Sequence, residues 1–230
     1  MELSGERINM LGALFYPKGT PEHPIPFDNL FIPYIYKEIY LEGLYLDIFN
    51  QKPLNSMTIL DVGANIGIVT QYMLPYAKKL YAIEPAKEHY EALTKNIEFN
   101  GWTNVEAFKL ALADKDGEAK LRLFNDNRTC HSINIPLNAG EEFETVPTKT
   151  FETFFKENNI EKVDFCKFDV EGEEDKILRS PTFRSVAEKI KAIEIEFHYP
   201  SYPELVKIMM EMGYTARRYD SSAIVVLFSR

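Results

Sequence analysis

Cysteine is scarce in this chain. Only Cys130 and Cys166 occur among 230 residues, and no Cys-x-x-Cys pair is present. Neither a disulfide framework nor a cysteine-ligated zinc site is therefore supported. Long apolar runs are missing as well, and none approaches the roughly 18–20 residues that span a bilayer. The opening stretch MELSGERINMLGALF lacks a basic start followed by a long apolar core. No secretory signal is read there, no membrane partner is indicated, and the cytoplasm is the expected compartment. Positive charge is in deficit, with 26 Lys and Arg against 35 Asp and Glu and a net charge of −9. A phosphate-tracking surface needs the opposite sign, because Lys and Arg supply much of nucleic-acid affinity. The balance argues for a small-molecule substrate over a nucleic acid. Internal repeats, low-complexity tracts and Gly/Ser linkers are also absent.

What is there fits one α/β domain preceded by a leader. The chain is 45% hydrophobic and 27% charged, as ordinary globular proteins are. Residues 1–57 are expected to form an arm rich in Gly and Pro, with little regular structure, followed by aromatic helical segments between Asp28 and Asn50 that serve as a cover or lid. Residues 58–230 alternate short apolar strands with amphipathic helices, the pattern of a parallel sheet wrapped by helices. Strands are expected at 58–63, 79–85, 105–112, 163–172 and 191–198, with a short hairpin inserted after Gly117 and a polar loop over 126–140. Ser201 and Glu204 have capping-box spacing ahead of a helix with Leu205, Ile208, Met209 and Met212 inward. TARRY and AIVVLFS close the sheet as an antiparallel hairpin. The expected fold is a doubly wound, seven-stranded, mostly parallel, Rossmann-like sheet.

The strongest motif is TILDVGANIG followed by YAIEP. A strand closes on Asp61, and Gly63 and Gly67 bracket a tight turn into a helix, where glycine lets a ligand approach the main chain. Glu84, at the tip of the next strand, is placed to accept hydrogen bonds from two ribose hydroxyls at the topological switch point. A dinucleotide site reads Gly-x-Gly-x-x-Gly, whereas here the spacing is Gly63-x-x-x-Gly67. A nucleoside cofactor with an amino-acid tail suits this turn better, since Asn65 offers that tail both a donor and an acceptor.

A second constellation lies on the fourth and fifth strands. Period two puts Lys167 and Asp169 on one face, and Glu194, Glu196 and His198 on one face of the next strand. Central parallel strands are normally apolar on both sides, so these charges are anomalous. Lys167 is expected to neutralise Glu194 or Glu196 across the strands. Asp169 and His198 sit at carboxyl ends, where doubly wound folds bind ligands, and are expected to be functional. No metal site is assigned, although Asp169, Glu196 and His198 could converge on a transition metal.

Taken together, DVGANIG, IEP with NIEFNG, ALADKDGE, VDFCKFDVEGEEDKIL and AIEIEFH resemble the FkbM family of methyltransferases, in order from about Thr58 to His198. The resemblance implies a class I methyltransferase fold and S-adenosylmethionine as cofactor. It implies that Gly63, Asn65 and Gly67 line the methionine end, that Asp61 also belongs to the cofactor site, that Glu84 holds the ribose, and that Ala111 and Leu112 touch the adenine. It also implies O-methylation of a hydroxyl on a small molecule or carbohydrate. The sulfonium is already a good leaving group, so the chain must align the acceptor and remove its proton. His198 or Asp169 is the expected base, with the other orienting it, and Glu171 is placed to hold a substrate hydroxyl. Two rivals stand beside this reading: a nucleic-acid methyltransferase on the same fold, and a non-catalytic nucleoside-binding protein. Against the first, Asp169-Val170-Glu171-Gly172 replaces the Asn/Asp-Pro-Pro-aromatic motif of amine methylation, and Cys166 lies inside a strand.

Overall fold

A computed structural model describes residues 3–4, 7–10, 13–15, 46–49, 52–123, 131–134, 142–198, 202–218 and 224–230. The N-terminal stretch departs from the irregular arm expected of it. Strands β1 (Leu3–Ser4), β2 (Arg7–Met10) and β3 (Ala13–Phe15) pair into a small antiparallel sheet. Glycine-rich spacing suits tight turns between short strands as well as it suits irregular chain. Of the helical cover, α1 (Leu46–Phe49) is described, while the expected helices before it lie outside the described residues. Phe49 is buried, stacked on Tyr76 and edge-on to Phe165, so this end of the leader packs on the main sheet.

That sheet follows from runs in which alternate residues feed two cores. Its strands include β4 (Met57–Val62), β5 (Ala77–Ile83) and β6 (Val105–Phe108). In β4, Ile59 joins the core under α1, α2 (Ile68–Met73) and α3 (Lys87–Asn100), while Leu60 and Val62 join the opposite one. Helix α3 stops where Gly101 takes a left-handed C-cap with φ 64°, as the Asn-Gly pair in the sequence suggests.

The third strand is shorter than expected. It ends at Phe108, and Ala111–Leu112 form β7 of a second sheet. There β7 runs parallel to β9 (Phe143–Lys149), which pairs antiparallel with β8 (Gly117–Arg122). Ala111 and Leu112 therefore do not continue the third strand of the main sheet. The inserted hairpin captures them, because β9 offers a pairing edge just where β6 has none beyond Phe108.

Helix α4 (Phe151–Glu157) follows, N-capped by Thr150, whose hydroxyl accepts from the Thr153 N–H. Then come β10 (Phe165–Phe168), α5 (Glu174–Arg179), α6 (Pro181–Arg184) and β11 (Ala192–Phe197). Helix α7 (Tyr202–Glu211) buries Leu205 and Met209, with Ile208 and Met212 packed on the same core. Ser201, its expected cap, lies outside the described residues. The hairpin β12 (Thr215–Arg218) and β13 (Ile224–Ser229) completes the sheet. The order is β12-β13-β11-β10-β4-β5-β6, with only the β13 pairings antiparallel. This is the seven-stranded, mostly parallel, Rossmann-like sheet expected from the sequence. Strand order reverses between β4 and β10, so a crevice at their carboxyl ends is where this architecture takes ligands. Among the described residues no helix is long and apolar enough to cross a membrane.

Candidate active site

The turn leaving β4 is built around residues that tolerate left-handed backbone. Gly63 has φ +80°, and a Cβ there would sit 2.1 Å from the Asp169 carbonyl oxygen. Gly67 has φ +96°, and a Cβ would press on Leu93 Cδ1 at 2.8 Å. Asn65 also has positive φ, a region Asn enters more easily than most residues. Its side-chain oxygen accepts from the Ile66 N–H at 2.8 Å, and buried Asn96 of α3 donates to the Ile66 carbonyl at 2.8 Å.

Glu84 follows β5 and is buried, not a solvated strand tip. It accepts from the Asn65 N–H and the Ala86 N–H, each at 2.9 Å, and His89 Nδ1 lies 3.5 Å from it. Burial pushes this carboxyl up, but the His89 contact and the two backbone N–H groups outweigh it and hold Glu84 below the ordinary range. Asp61 is fully buried in β4, with the Thr70 hydroxyl donating to one oxygen at 2.6 Å and the other oxygen without a hydrogen bond. Burial raises its pKa against the opposing pull of the Lys167 charge. Ala111 shares a small buried cluster with Ala86, whose N–H donates to Glu84, whereas Leu112 belongs to the larger core on the other side.

The fourth and fifth strands deliver the second group. Lys167 lies level with Asp61 on one side and Glu194 on the other. Its ion pair is with Asp169, just past its own strand, at 3.1 Å, in place of the expected Glu194 or Glu196, although the Glu196 charge also favours the ammonium. The long side chain runs towards the carboxyl edge of the sheet, where Nζ also donates to the Gly63 carbonyl at 2.8 Å. Burial lowers the Lys167 pKa, but the Asp169 and Asp61 charges raise it further, so the charged form is favoured.

Asp169 stands just past β10 and His198 just past β11. His198 Nε2 is 3.3 Å from Glu171, 3.8 Å from Asp169 and 3.8 Å from Glu196, while Nδ1 is 3.0 Å from Glu174. Burial disfavours the imidazolium, but the Glu174 hydrogen bond and the Asp169, Glu171 and Glu174 charges push its pKa up to about 10. Asp169, Glu171 and His198 bring ligand-type atoms within 4.8 Å of one another. This differs from the sequence grouping, in which Glu196 took the place of Glu171.

Several contributors escaped sequence reasoning. Glu174 is buried, and one of its oxygens accepts from the Gly172 N–H at 3.2 Å as well as facing His198. It thereby closes the turn in which Glu171 and Gly172 have positive φ. Its place in the Lys-x-Asp-Val-Glu-Gly-x-Glu run was the available signal. Ser132 and Asn134, in the loop read only as polar, donate to the Glu171 and Gly172 carbonyls at 2.6 and 2.7 Å. Cys166 is buried, and burial pushes its thiol well above the usual range, so it is no thiolate nucleophile.

The family described as the methyltransferase FkbM domain matches residues 61–216. "Methyltransferase sdnD" of Sordaria araneosa is 28% identical over 220 residues, covering 80% of this chain and 83% of its own length. An rRNA methylase from Streptococcus thermophilus aligns with TM-score 0.52 at 11% identity, covering 82% of this chain and 95% of that one. A Streptococcus mutans protein solved in complex with SAH aligns with TM-score 0.51 at 12% identity, covering 82% and 96%. At such identities the two structural likenesses are likenesses of fold.

Proposed function

Because this chain belongs to the FkbM family of methyltransferases, we propose that it moves the methyl group of S-adenosylmethionine onto a hydroxyl of a small molecule or sugar. The residues suit that cofactor. Gly63, Asn65 and Gly67 hold the turn in positive-φ backbone, and the buried Asp61 has one oxygen without a hydrogen bond, suited to a cationic amino group. Asp61, Gly63, Asn65 and Gly67 would hold the methionine end and Glu84 the ribose. The adenine is assigned to Ala111, which shares a buried cluster with Ala86, while Leu112, expected beside it, faces the opposite core. When bound, the cofactor supplies an activated methyl group on a sulfonium.

The observation that carries the acceptor chemistry is the division of labour within Asp169. One oxygen is fixed by Lys167 at 3.1 Å, and the other is buried without a hydrogen-bond partner. That second oxygen is the base. The acceptor hydroxyl gives it a proton as the hydroxyl oxygen takes up the methyl group. His198, an imidazolium at neutral pH, orients Asp169 and Glu171 instead of removing the proton, and Glu171 holds a neighbouring hydroxyl. The carboxylates around His198 and the net charge of −9 favour a neutral, hydroxyl-rich acceptor over a nucleic acid. We assign residues 1–57 the role of a cover, a reading that the packing of buried Phe49 on Tyr76 and Phe165 supports.

Labelled S-adenosylmethionine, offered with phenols, free sugars, glycosides and RNA in parallel, tests the reading. Label recovered as a methyl ether on one of the hydroxyl acceptors is the expected result. Label in RNA alone, or none with any acceptor while the cofactor binds, would overturn it.

A further inference from the structure

A second cluster of donor atoms lies on the other side of Glu84 and takes no part in the chemistry above. His89, in the first turn of α3, and His131, in the described part of the 131–134 loop, stack face to face, with ring centroids 4.8 Å apart and planes 8° from parallel. Both bring Nε2 near the same carboxylate oxygen: Glu88 Oε1 is 3.8 Å from His89 Nε2 and 3.7 Å from His131 Nε2. The side chains of His89 and His131 are 2% and 4% exposed. All three donor atoms lie within 4.8 Å of one another.

His89 makes the arrangement informative. Glu84 lies 3.5 Å from its Nδ1 and so favours the proton there. Nε2 is then a buried lone pair, without a hydrogen bond, facing a carboxylate. A buried imidazole lone pair close to a carboxylate is a place where a cation satisfies both. Two imidazoles and one carboxylate suit a first-row transition metal, whereas magnesium and calcium prefer oxygen donors alone. Ligands bound tetrahedrally at ~2.0–2.1 Å lie about 3.3 Å apart, so each His–Glu88 spacing of 3.7–3.8 Å has about half an ångström to close, and the stacked rings must turn out of parallel so that each ring plane holds the ion.

We propose that Glu88, His89 and His131 bind a divalent transition-metal ion of the zinc type, which clamps the 131–134 loop onto the first turn of α3. The clamp reaches both halves of the site. Glu84 orients His89 and also holds the Asn65 N–H, while Ser132 and Asn134 hold the turn at Glu171 and Gly172.

Calorimetry with Zn2+ and the visible spectrum with Co2+, on chelator-treated full-length protein, test this. The expected result is one equivalent bound to the parent with a tetrahedral Co2+ band, undisturbed by excess Mg2+. His131→Gln and Glu88→Gln should each weaken binding tenfold or more with circular dichroism unchanged. His198→Gln should bind as the parent does, because its carboxylate cluster is separate. Absence of binding by the parent, or binding lost in His198→Gln and kept in His131→Gln, would overturn the proposal. Should His131→Gln fail to fold, Glu88→Gln, at a side chain 14% exposed, carries the same comparison.

Discussion

Gly63 and Asp169 meet backbone to backbone, so that a Cβ on Gly63 would fall 2.1 Å from the Asp169 carbonyl oxygen. The turn assigned to the cofactor and the turn assigned to the acceptor are thus one packed unit, pinned by Lys167, which donates to Gly63 and pairs with Asp169. A methyl group at position 63 has to push a strand end aside and also hold φ +80°, a conformation that costs a non-glycine residue ~1–3 kcal/mol before any clash. Gly63→Ala is therefore expected to lose about 3 kcal/mol or more in urea denaturation and to lose binding of the demethylated cofactor. A variant as stable as the parent that still binds would show that the two turns do not touch as described.

Glu84 should report on cofactor binding and on acid stability together. Its folded pKa is depressed, so its contribution is present above the unfolded carboxylate pKa and fades as pH falls through the lower folded value. Glu84→Gln keeps the size but loses the charge on hydrogen bonds from Asn65 and Ala86, each worth roughly 1.5–3 kcal/mol when charge-assisted. We expect affinity for the demethylated cofactor to fall ~10-fold or more, and melting temperature to depend less on pH below 5 than in the parent. Calorimetry showing equal affinity would remove Glu84 from the ribose role.

Lys167 is the buried counter-charge to Asp169 and Asp61. Replacing it with Met leaves carboxylates in the interior without their cation, and breaking a buried pair from one side typically costs ~3–5 kcal/mol. Against the ~5–15 kcal/mol that holds a domain together, this is a large loss. Chemical denaturation of Lys167→Met should show it, and a midpoint equal to the parent's would contradict the pairing.

Much of this site was legible in the sequence, because its backbone requirements are chemical. Gly63, Asn65 and Gly67 stand out since the turn demands positive φ from residues that accept it. Asp169 and His198 stand out because period two puts charge at the ends of strands that should be apolar. The ion partner of Lys167 was not legible. Cross-strand register names Glu194, but a four-carbon side chain reaches along the strand as easily as across it. Nor was the fate of Ala111 and Leu112, because whether a strand continues or joins a neighbouring hairpin depends on which edge is free, a tertiary fact. Glu88 and His131 are 43 positions apart by their numbers, and the loop that brings them together has no periodicity to read.

His198 carries a pH dependence of definite sign. Its folded pKa, about 10, lies above the unfolded 6.5. The stabilisation it gives is full below pH 6.5 and is lost as pH rises through 10, as the imidazolium among carboxylates loses its charge. His198 is partly exposed, so solvent screening leaves only a fraction of that shift as stability. Melting curves from pH 6 to 10 should fall more steeply for the parent than for His198→Gln, which holds no titrating charge. Parallel curves would mean that His198 is neutral in the folded chain.

Asp169 tests the mechanism itself. Asparagine has nearly the same shape, and its side-chain oxygen can still accept from Lys167, while Asp61 remains nearby as a second partner for the ammonium. Stability should therefore change by only about 1 kcal/mol, within the range for one exchanged hydrogen bond. The oxygen that now accepts no hydrogen bond would be replaced by an amide nitrogen, or would be turned to Lys167, and in either case no carboxylate is left to take the acceptor proton. A positioned base contributes roughly 100- to 10,000-fold, so kcat of Asp169→Asn should drop by ~100-fold or more. The demethylated cofactor should bind as before, because the residues assigned to it are unchanged. Raising the pH should recover part of the rate with an acidic phenol as acceptor and almost none with an alcohol, since only the phenol ionises without help. Should Asp169→Asn keep its kcat towards an alcohol, Asp169 is not the base; should it lose cofactor binding in equal measure, its role lies in holding the turn at Gly63.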